Sequence, residues 1–172
     1  IKGSAEFTVN IGLIVGQEPV FGIIYAPALG QFFATIAADQ SIEAAISPDD
    51  EVPSLARLEL KRLTTRAPNP TSLVAFASRS HATQSTDEFL KHLPITEKRR
   101  ASSSLKFCLI ARGEADLYAR LGQTSEWDTA AAQCVLEQAG GQLTDFELRP
   151  LRYNRESLLN VPFLAFGAGQ RP

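Results

Sequence analysis

The sequence predicts an α/β (α+β) chain, with a strand meander and its connection in residues 1–70 and an α/β lobe in residues 71–172. Three observations predict it. Short runs rich in Phe, Ile, Val and Thr are punctuated by turn residues in the first part. Strand-like and helix-like apolar runs alternate in the second. A helical pattern after Thr124 closes on Ala139-Gly140-Gly141.

The elements follow in order. Residues 7–14, 20–25 and 31–37 read as strands of an antiparallel meander, with turns at Gly16-Gln17-Glu18-Pro19 and Pro27-Ala28-Leu29-Gly30. Residues 39–70 mix charge, proline and weak periodicity. They read as a long connection with one strand near 58–63. Leu73-Val74-Ala75-Phe76-Ala77 is an apolar run between polar flanks, hence a buried strand. Residues 87–93 read as a helix with Phe89, Leu90 and Leu93 on one face. Residues 103–113 read as a second helix capped by serines, and residues 115–119 as a strand ended by Gly122. A long helix is expected from Asp128. Ala131, Ala132, Val135, Leu136 and Ala139 fall at helical spacing from Asp128, which places the acid on the stripe that should be buried. Gly140 and Gly141 stop this helix, because glycine adopts the left-handed C-cap conformation at little cost. Residues 142–146 resume extended structure, and residues 163–166 form a last apolar strand.

The 172 residues suffice for one well-buried core or two lobes sharing an interface. With a net charge of −2, no global basic field draws the chain to nucleic acid. No apolar run approaches the length of a transmembrane helix. Weak peripheral contact with the inner membrane face and the oligomeric state stay open. Cys108 and Cys134 lie in apolar helical runs and read as buried thiols of a reducing, cytoplasmic compartment. Two Cys and two His do not approach the paired spacing of a zinc site. A chain that starts at Ile and contains no Met is expected to have lost its natural N-terminus.

Five residues are candidates for chemistry. Asp128 is a carboxylate at a helix mouth. The dipole keeps such a group ionised, and a rigid anionic oxygen suits a hard cation such as Mg²⁺; the competing reading is a plain helix cap. Ser103 lies within Ser102-Ser103-Ser104 before an apolar helix, and Lys106 sits in its first turn. Together they offer donors and charge to a phosphate, or else the serines only cap. His81 follows the end of a buried strand, where ligands gather in α/β sheets. Arg120 ends a strand just before Leu121-Gly122 and could clamp a phosphate, though a surface arginine is the commoner case. His92 reads as favourable charge near a helix C-terminus, and Lys98-Arg99-Arg100 as a solvated face.

Trp127-Asp128-Thr129-Ala130-Ala131 and Ala139-Gly140-Gly141 resemble the second signature of the inositol monophosphatase superfamily. Ser78-Arg79-Ser80-His81, Ser103-Ser104-Leu105-Lys106-Phe107-Cys108-Leu109 and Phe7-Thr8-Val9-Asn10-Ile11-Gly12-Leu13 resemble its 3′(2′),5′-bisphosphate nucleotidase branch. The resemblance runs along nearly the whole chain. It implies a layered αβαβα sandwich, incomplete at the N-terminus, because the signature Asp-Pro-x-Asp-Gly-Thr and a glutamate upstream of it would fall just before Ile1-Lys2. It also implies Mg²⁺-dependent, lithium-sensitive hydrolysis of adenosine 3′,5′-bisphosphate to AMP and phosphate, in sulfur metabolism. Asp128 would then be a metal ligand beside the substrate. Ser103 and Lys106 would hold a nucleotide phosphate, and His81 and Arg120 would contact the substrate. Ser102 stands where glycine is usual. One carboxylate cannot hold a multi-metal cluster, so residues 1–172 alone are expected to be nearly inactive. Two alternatives remain: an inositol or sugar phosphatase of the same superfamily, and a non-catalytic nucleotide-binding module.

Overall fold

The structure is a computed structural model and describes residues 5–49, 54–78, 83–101 and 104–169, with the backbone alone for Leu55 and Ser78. Its first sheet runs in chain order through β1 (Val9–Val15), β2 (Glu18–Ala26), β3 (Gln31–Ala37), β4 (Gln40–Ala45) and β5 (Lys61–Arg62). Every pairing is antiparallel, as the turn spacing predicts. Gly16 and Gly30 take the left-handed turn positions, with φ of 61° and 62°. The 39–70 connection is more structured than expected. β4 is built from Gln, Ser, Glu and Ala around one Ile, a composition with little strand preference of its own. Pairing to β3 on one side and β5 on the other imposes the strand.

The second sheet has the order β7-β6-β8-β10-β9, with β6 (Leu73–Ser78), β7 (Ile95–Ala101), β8 (Leu117–Arg120), β9 (Gln142–Thr144) and β10 (Phe163–Phe166). β6 is parallel to β7 and β8, whereas β10 is antiparallel to β8 and β9. Among the described residues three α-helices accompany it: α1 (Gln84–Lys91), α2 (Leu105–Ala111) and α3 (Ala130–Glu137). His92 is the C-cap of α1, as its sequence position suggests. The basic run Lys98-Arg99-Arg100 belongs to β7, an edge strand. Charged side chains are what edge strands carry to discourage pairing with other chains.

One apolar cluster joins the two sheets. It includes Ile24, Phe33 and Leu63 from the first sheet and its flank, Phe76 and Tyr118 from the second, and Val135 and Leu136 from α3. Cys108 and Cys134 are free thiols within the buried interior. α3 lies against β1 and β2. Gly12 and Gly22 face each other across those strands. A Cβ on Gly22 would lie 2.3 Å from the Ala131 carbonyl oxygen, and one on Gly12 would lie 3.0 Å from the Ala131 nitrogen. The helix therefore docks with backbone nearly on backbone. On the opposite face of β1, Val9, Ile11, Leu13 and Val15 are all exposed, as is Phe7 just before the strand.

Asp116 fastens the start of β8. It accepts two hydrogen bonds from Arg66, at 2.7 and 2.6 Å, and one from the Val74 amide at 2.7 Å. Burial alone would raise its pKa. The bonds from Arg66 and Val74 outweigh that and hold the carboxyl below its usual range.

Candidate active site

Ser78, Ala101 and Arg120 end three parallel strands along one edge of the second sheet. Ligands gather at such edges in open α/β sheets. Arg120 is buried at 7% exposure, unlike a surface arginine. Its Nε donates to the Gly122 carbonyl at 3.1 Å, and a terminal nitrogen donates to the Gln123 carbonyl at 3.2 Å. The tight turn after β8 thus turns the guanidinium back over the strand end.

Lys106 lies in the first turn of α2 and is 2% exposed. Its ammonium donates to the Ala101 carbonyl at 3.3 Å and sits 4.7 Å from the centre of the Tyr118 ring. Burial, with Arg120 nearby, pulls its pKa down from 10.5 to about 8, against a smaller opposing pull from Glu6. Two cationic side chains are therefore packed around one phenol. Burial pushes the Tyr118 hydroxyl up to about 12; Arg120 opposes this through its charge and a hydrogen bond, and Asp128 adds to it. Lys106, Arg120 and Asp128 thus share one electrostatic neighbourhood centred on Tyr118.

Asp128 differs from expectation in two respects. The helix does not start there. Glu126–Asp128 form a separate 3₁₀ turn, and α3 begins at Ala130. The acid is also exposed, although Ala131, Ala132, Val135, Leu136 and Ala139 are buried as predicted. The tighter turn breaks the 3.6-residue phase, so Trp127 and Asp128 rotate out to solvent while Glu126 and Thr129 turn in. The Asp128 carboxylate reaches back to the Ser125 amide at 2.8 Å, the return half of a capping box. It is both a cap and a presented acid. A cleft of about 440 Å³ opens against Glu126 and Trp127 of the same turn, lined also by Asn10, Gly12, Ala130 and Tyr153, among others; Asp128, Lys106 and Arg120 do not line it.

Of the serines before α2, Ser104 is the one described, and it does not cap the helix as expected. Ser104 occupies the N-cap position but makes no capping bond. Its hydroxyl instead donates to Asn10 Oδ1 at 2.7 Å and lies 2.9 Å from the Thr8 hydroxyl, tying α2 to the start of β1. Ser103 and His81 lie outside the described residues.

The segment at residues 153–160, which grips the Asp128 turn, carries almost no mark in the sequence. Glu126 accepts from the amides of Asn154 at 2.9 Å and Arg155 at 3.2 Å. The Glu126 amide donates to the Leu158 carbonyl, and the Asn160 amide donates to the Thr124 carbonyl. These partners are some 30 residues away in sequence and follow no period. The isolated turn-formers Asn154 and Asn160 were the only signal.

No group of three or more His, Cys, Asp or Glu side chains among the described residues is arranged to hold a metal. Asp128 fits Mg²⁺ as one hard oxygen ligand: it is exposed, and it is oriented through one oxygen, which leaves the other for a cation.

Known proteins share this architecture. A profile of the inositol monophosphatase family matches residues 1–164. The 3′(2′),5′-bisphosphate nucleotidase CysQ of Escherichia coli (strain K12) is 37% identical over 165 residues, which are 95% of this chain and 61% of that protein. The enzyme of the same name from Salmonella typhimurium is 38% identical over the same shares. The crystal structure of CysQ from Bacteroides thetaiotaomicron superposes with a TM-score of 0.83 at 32% identity, over 97% of this chain and 64% of that one. An inositol monophosphatase from Zymomonas mobilis gives a TM-score of 0.74 at 21% identity, over 97% and 60%, and bears on the fold alone. The chain spans about three fifths of the length of the curated relatives it matches.

Proposed function

The chain belongs to the inositol monophosphatase family, and from that premise we propose that the protein carrying it is a Mg²⁺-dependent 3′(2′),5′-bisphosphate nucleotidase. It would hydrolyse adenosine 3′,5′-bisphosphate to AMP and phosphate. The observation that carries the reading is the pairing of Lys106 and Arg120, two buried cations around Tyr118, with Asp128 acting on the same phenol. Cations held in a low-dielectric site interact with a polyanion far more strongly than surface charges do.

The roles follow from the chemistry. Lys106 and Arg120 neutralise and orient the nucleotide phosphates, and Arg120 presents a planar set of donors. We keep His81 and Ser103 as substrate contacts on the strength of their motifs. Asp128 would supply one oxygen to Mg²⁺. When bound, the metal supplies a water of lowered pKa and charge stabilisation for the leaving oxygen. Because Asp128 is the one carboxylate assigned to the metal, residues 1–172 alone should turn over poorly, and binding is the better test. The buried thiols of Cys108 and Cys134 support a reducing, cytoplasmic setting.

The test is calorimetry of the chain with adenosine 3′,5′-bisphosphate and with inositol monophosphate. Tighter binding of the nucleotide, weakened about tenfold or more by Arg120→Ala, is the expected result. Preference for the inositol phosphate would transfer the protein to a sugar phosphatase role. In the catalytically complete protein, Asp128→Asn should lower Mg²⁺-dependent phosphate release by roughly a hundredfold. Nucleotide binding without any phosphate release from that protein would leave only a binding module.

A further inference from the structure

We infer that Tyr153 and Asn160 are positioning residues for Asp128, acting through a buried hydrogen-bond chain that fixes the turn at residues 125–128. The functional meaning of this inference rests on reading Asp128 as a metal ligand.

The chain begins inside the molecule. Thr129, the N-cap of α3, and Gln133 on its inner side lie four residues apart and are 1% and 2% exposed. The fully buried Tyr153 hydroxyl spans them, 2.6 Å from Gln133 Oε1 and 3.2 Å from Thr129 Oγ1. Thr129 Oγ1 also accepts from Asn160 Nδ2 at 3.0 Å. The same amide nitrogen donates to the Ser125 carbonyl at 2.8 Å and lies 3.1 Å from Thr124 Oγ1. Ser125 then donates its own amide to Asp128. An unbroken line of polar contacts therefore runs from the core of α3 to the exposed acid.

Two features separate this from ordinary packing. A single 3₁₀ turn is intrinsically weak, and Ser125 must hold an extended conformation (φ −115°, ψ 163°) for the carboxylate to reach it. Something outside the turn has to hold it. Second, Asn160 Oδ1 is buried and has no hydrogen-bond partner among the described residues. The amide cannot be turned over to relieve this, because its oxygen would then face the Ser125 carbonyl, which is an acceptor only. Leaving a buried acceptor unmatched costs stability. The arrangement makes sense if the Nδ2 contacts to residues 124, 125 and 129 are what is being kept.

The test uses the intact chain, Tyr153→Phe, Asn160→Ala, and a control, Leu164→Val in β10. Asn160 is only half-buried, so its variant is the milder of the two and keeps the test decisive if the Tyr153 change proves disruptive. Hydrogen exchange of the Ser125 amide is measured, together with broadening of the Asp128 signals by Mn²⁺. Both variants should speed Ser125 exchange and weaken Mn²⁺ binding, each by about tenfold. The control should move neither at equal melting temperature. Unchanged Ser125 exchange in both variants overturns the inference. Faster exchange with unaltered Mn²⁺ affinity also overturns it, since the contacts would then be merely structural. If Mn²⁺ broadening is indifferent to Asp128→Asn, it is the metal reading that fails, and the exchange rates still decide whether the turn is held from Tyr153 and Asn160.

Discussion

The ammonium of Lys106 lies 4.7 Å above the ring of Tyr118, in a position that is 2% exposed. A cation over an aromatic face is attracted to it, more so when desolvated. Yet the burial that strengthens this contact also disfavours the charge, and the pKa falls from 10.5 to about 8. The site therefore holds a lysine that is still mostly charged at pH 7 but poised to lose its proton just above, and an incoming phosphate would keep it charged to higher pH.

Proton uptake on ligand binding follows from that poise. A phosphate beside Lys106 should raise its pKa back towards 10.5. Nucleotide binding near pH 8 to 9 should then take up a proton, and binding at pH 6 should not involve this lysine. Calorimetry in two buffers of different ionisation enthalpy measures the difference, and Lys106→Met should abolish it.

The same shift predicts a pH-dependent stability. A depressed lysine pKa means that the unfolded chain binds the proton more tightly. The penalty is full below about pH 8 and disappears as the pH rises to 10.5. Lys106→Met should raise stability at pH 7 by on the order of 3 kcal/mol at most, and the gap should close by pH 10.5. Thermal melts of both proteins across that range check the sign.

Glu137 titrates in the opposite sense. Burial, with Glu18 adding, pushes its carboxyl up to about 7, although Gln133, the Leu143 backbone and Arg152 work against this. The folded state binds this proton more tightly than the unfolded state. The associated stability is present below the ordinary 4.5 and is lost as pH rises through about 7. Glu137→Gln should therefore stabilise the chain at pH 8 and make little difference at pH 4, as followed by urea midpoints.

Gly22→Ala should be severe. The new methyl would lie 2.3 Å from the Ala131 carbonyl oxygen, where only backbone movement can make room. A loss of about 3 kcal/mol, or roughly 10 °C in Tm for a chain of this size, is expected. Gly16→Ala meets no atom of the described residues within 4 Å and suffers only its left-handed conformation, φ 61°. It should cost about 1 kcal/mol. Differential scanning calorimetry compares the two.

The apolar outer face of β1 should bind an environment-sensitive dye in the native state. Ile11 and Leu13 are more than half exposed there, and contiguous apolar surface of this kind attracts hydrophobic probes. Ile11→Thr with Leu13→Thr should lower native-state dye fluorescence without lowering the melting temperature.

Much of this fold is legible in the sequence. The fully apolar Phe163–Phe166 and the Leu117–Arg120 run declared themselves as strands, because all their residues are buried on both faces. The helical stripe after Thr129 was equally plain. β4 was not, because its partners impose the extended form on weak strand formers. β7 was hidden because an edge strand carries charge where an inner strand carries valine. At the site, the sequence marked Lys106, Arg120 and Asp128 as residue types with the right chemistry. It could not show that one 3₁₀ turn shifts the phase of Asp128 and brings it into solvent. Nor could it show that Tyr153 and Asn160 hold that turn, since contacts across 24 and 35 residues leave no local pattern.

Cys108 and Cys134 sit sealed in the interior, and burial raises the pKa of both thiols, so little thiolate exists to react. Alkylation of the folded chain must therefore wait for the interior to open. The two sulfurs amount to a built-in clock: their labelling rate reports how often the protein breathes, with no foreign probe attached.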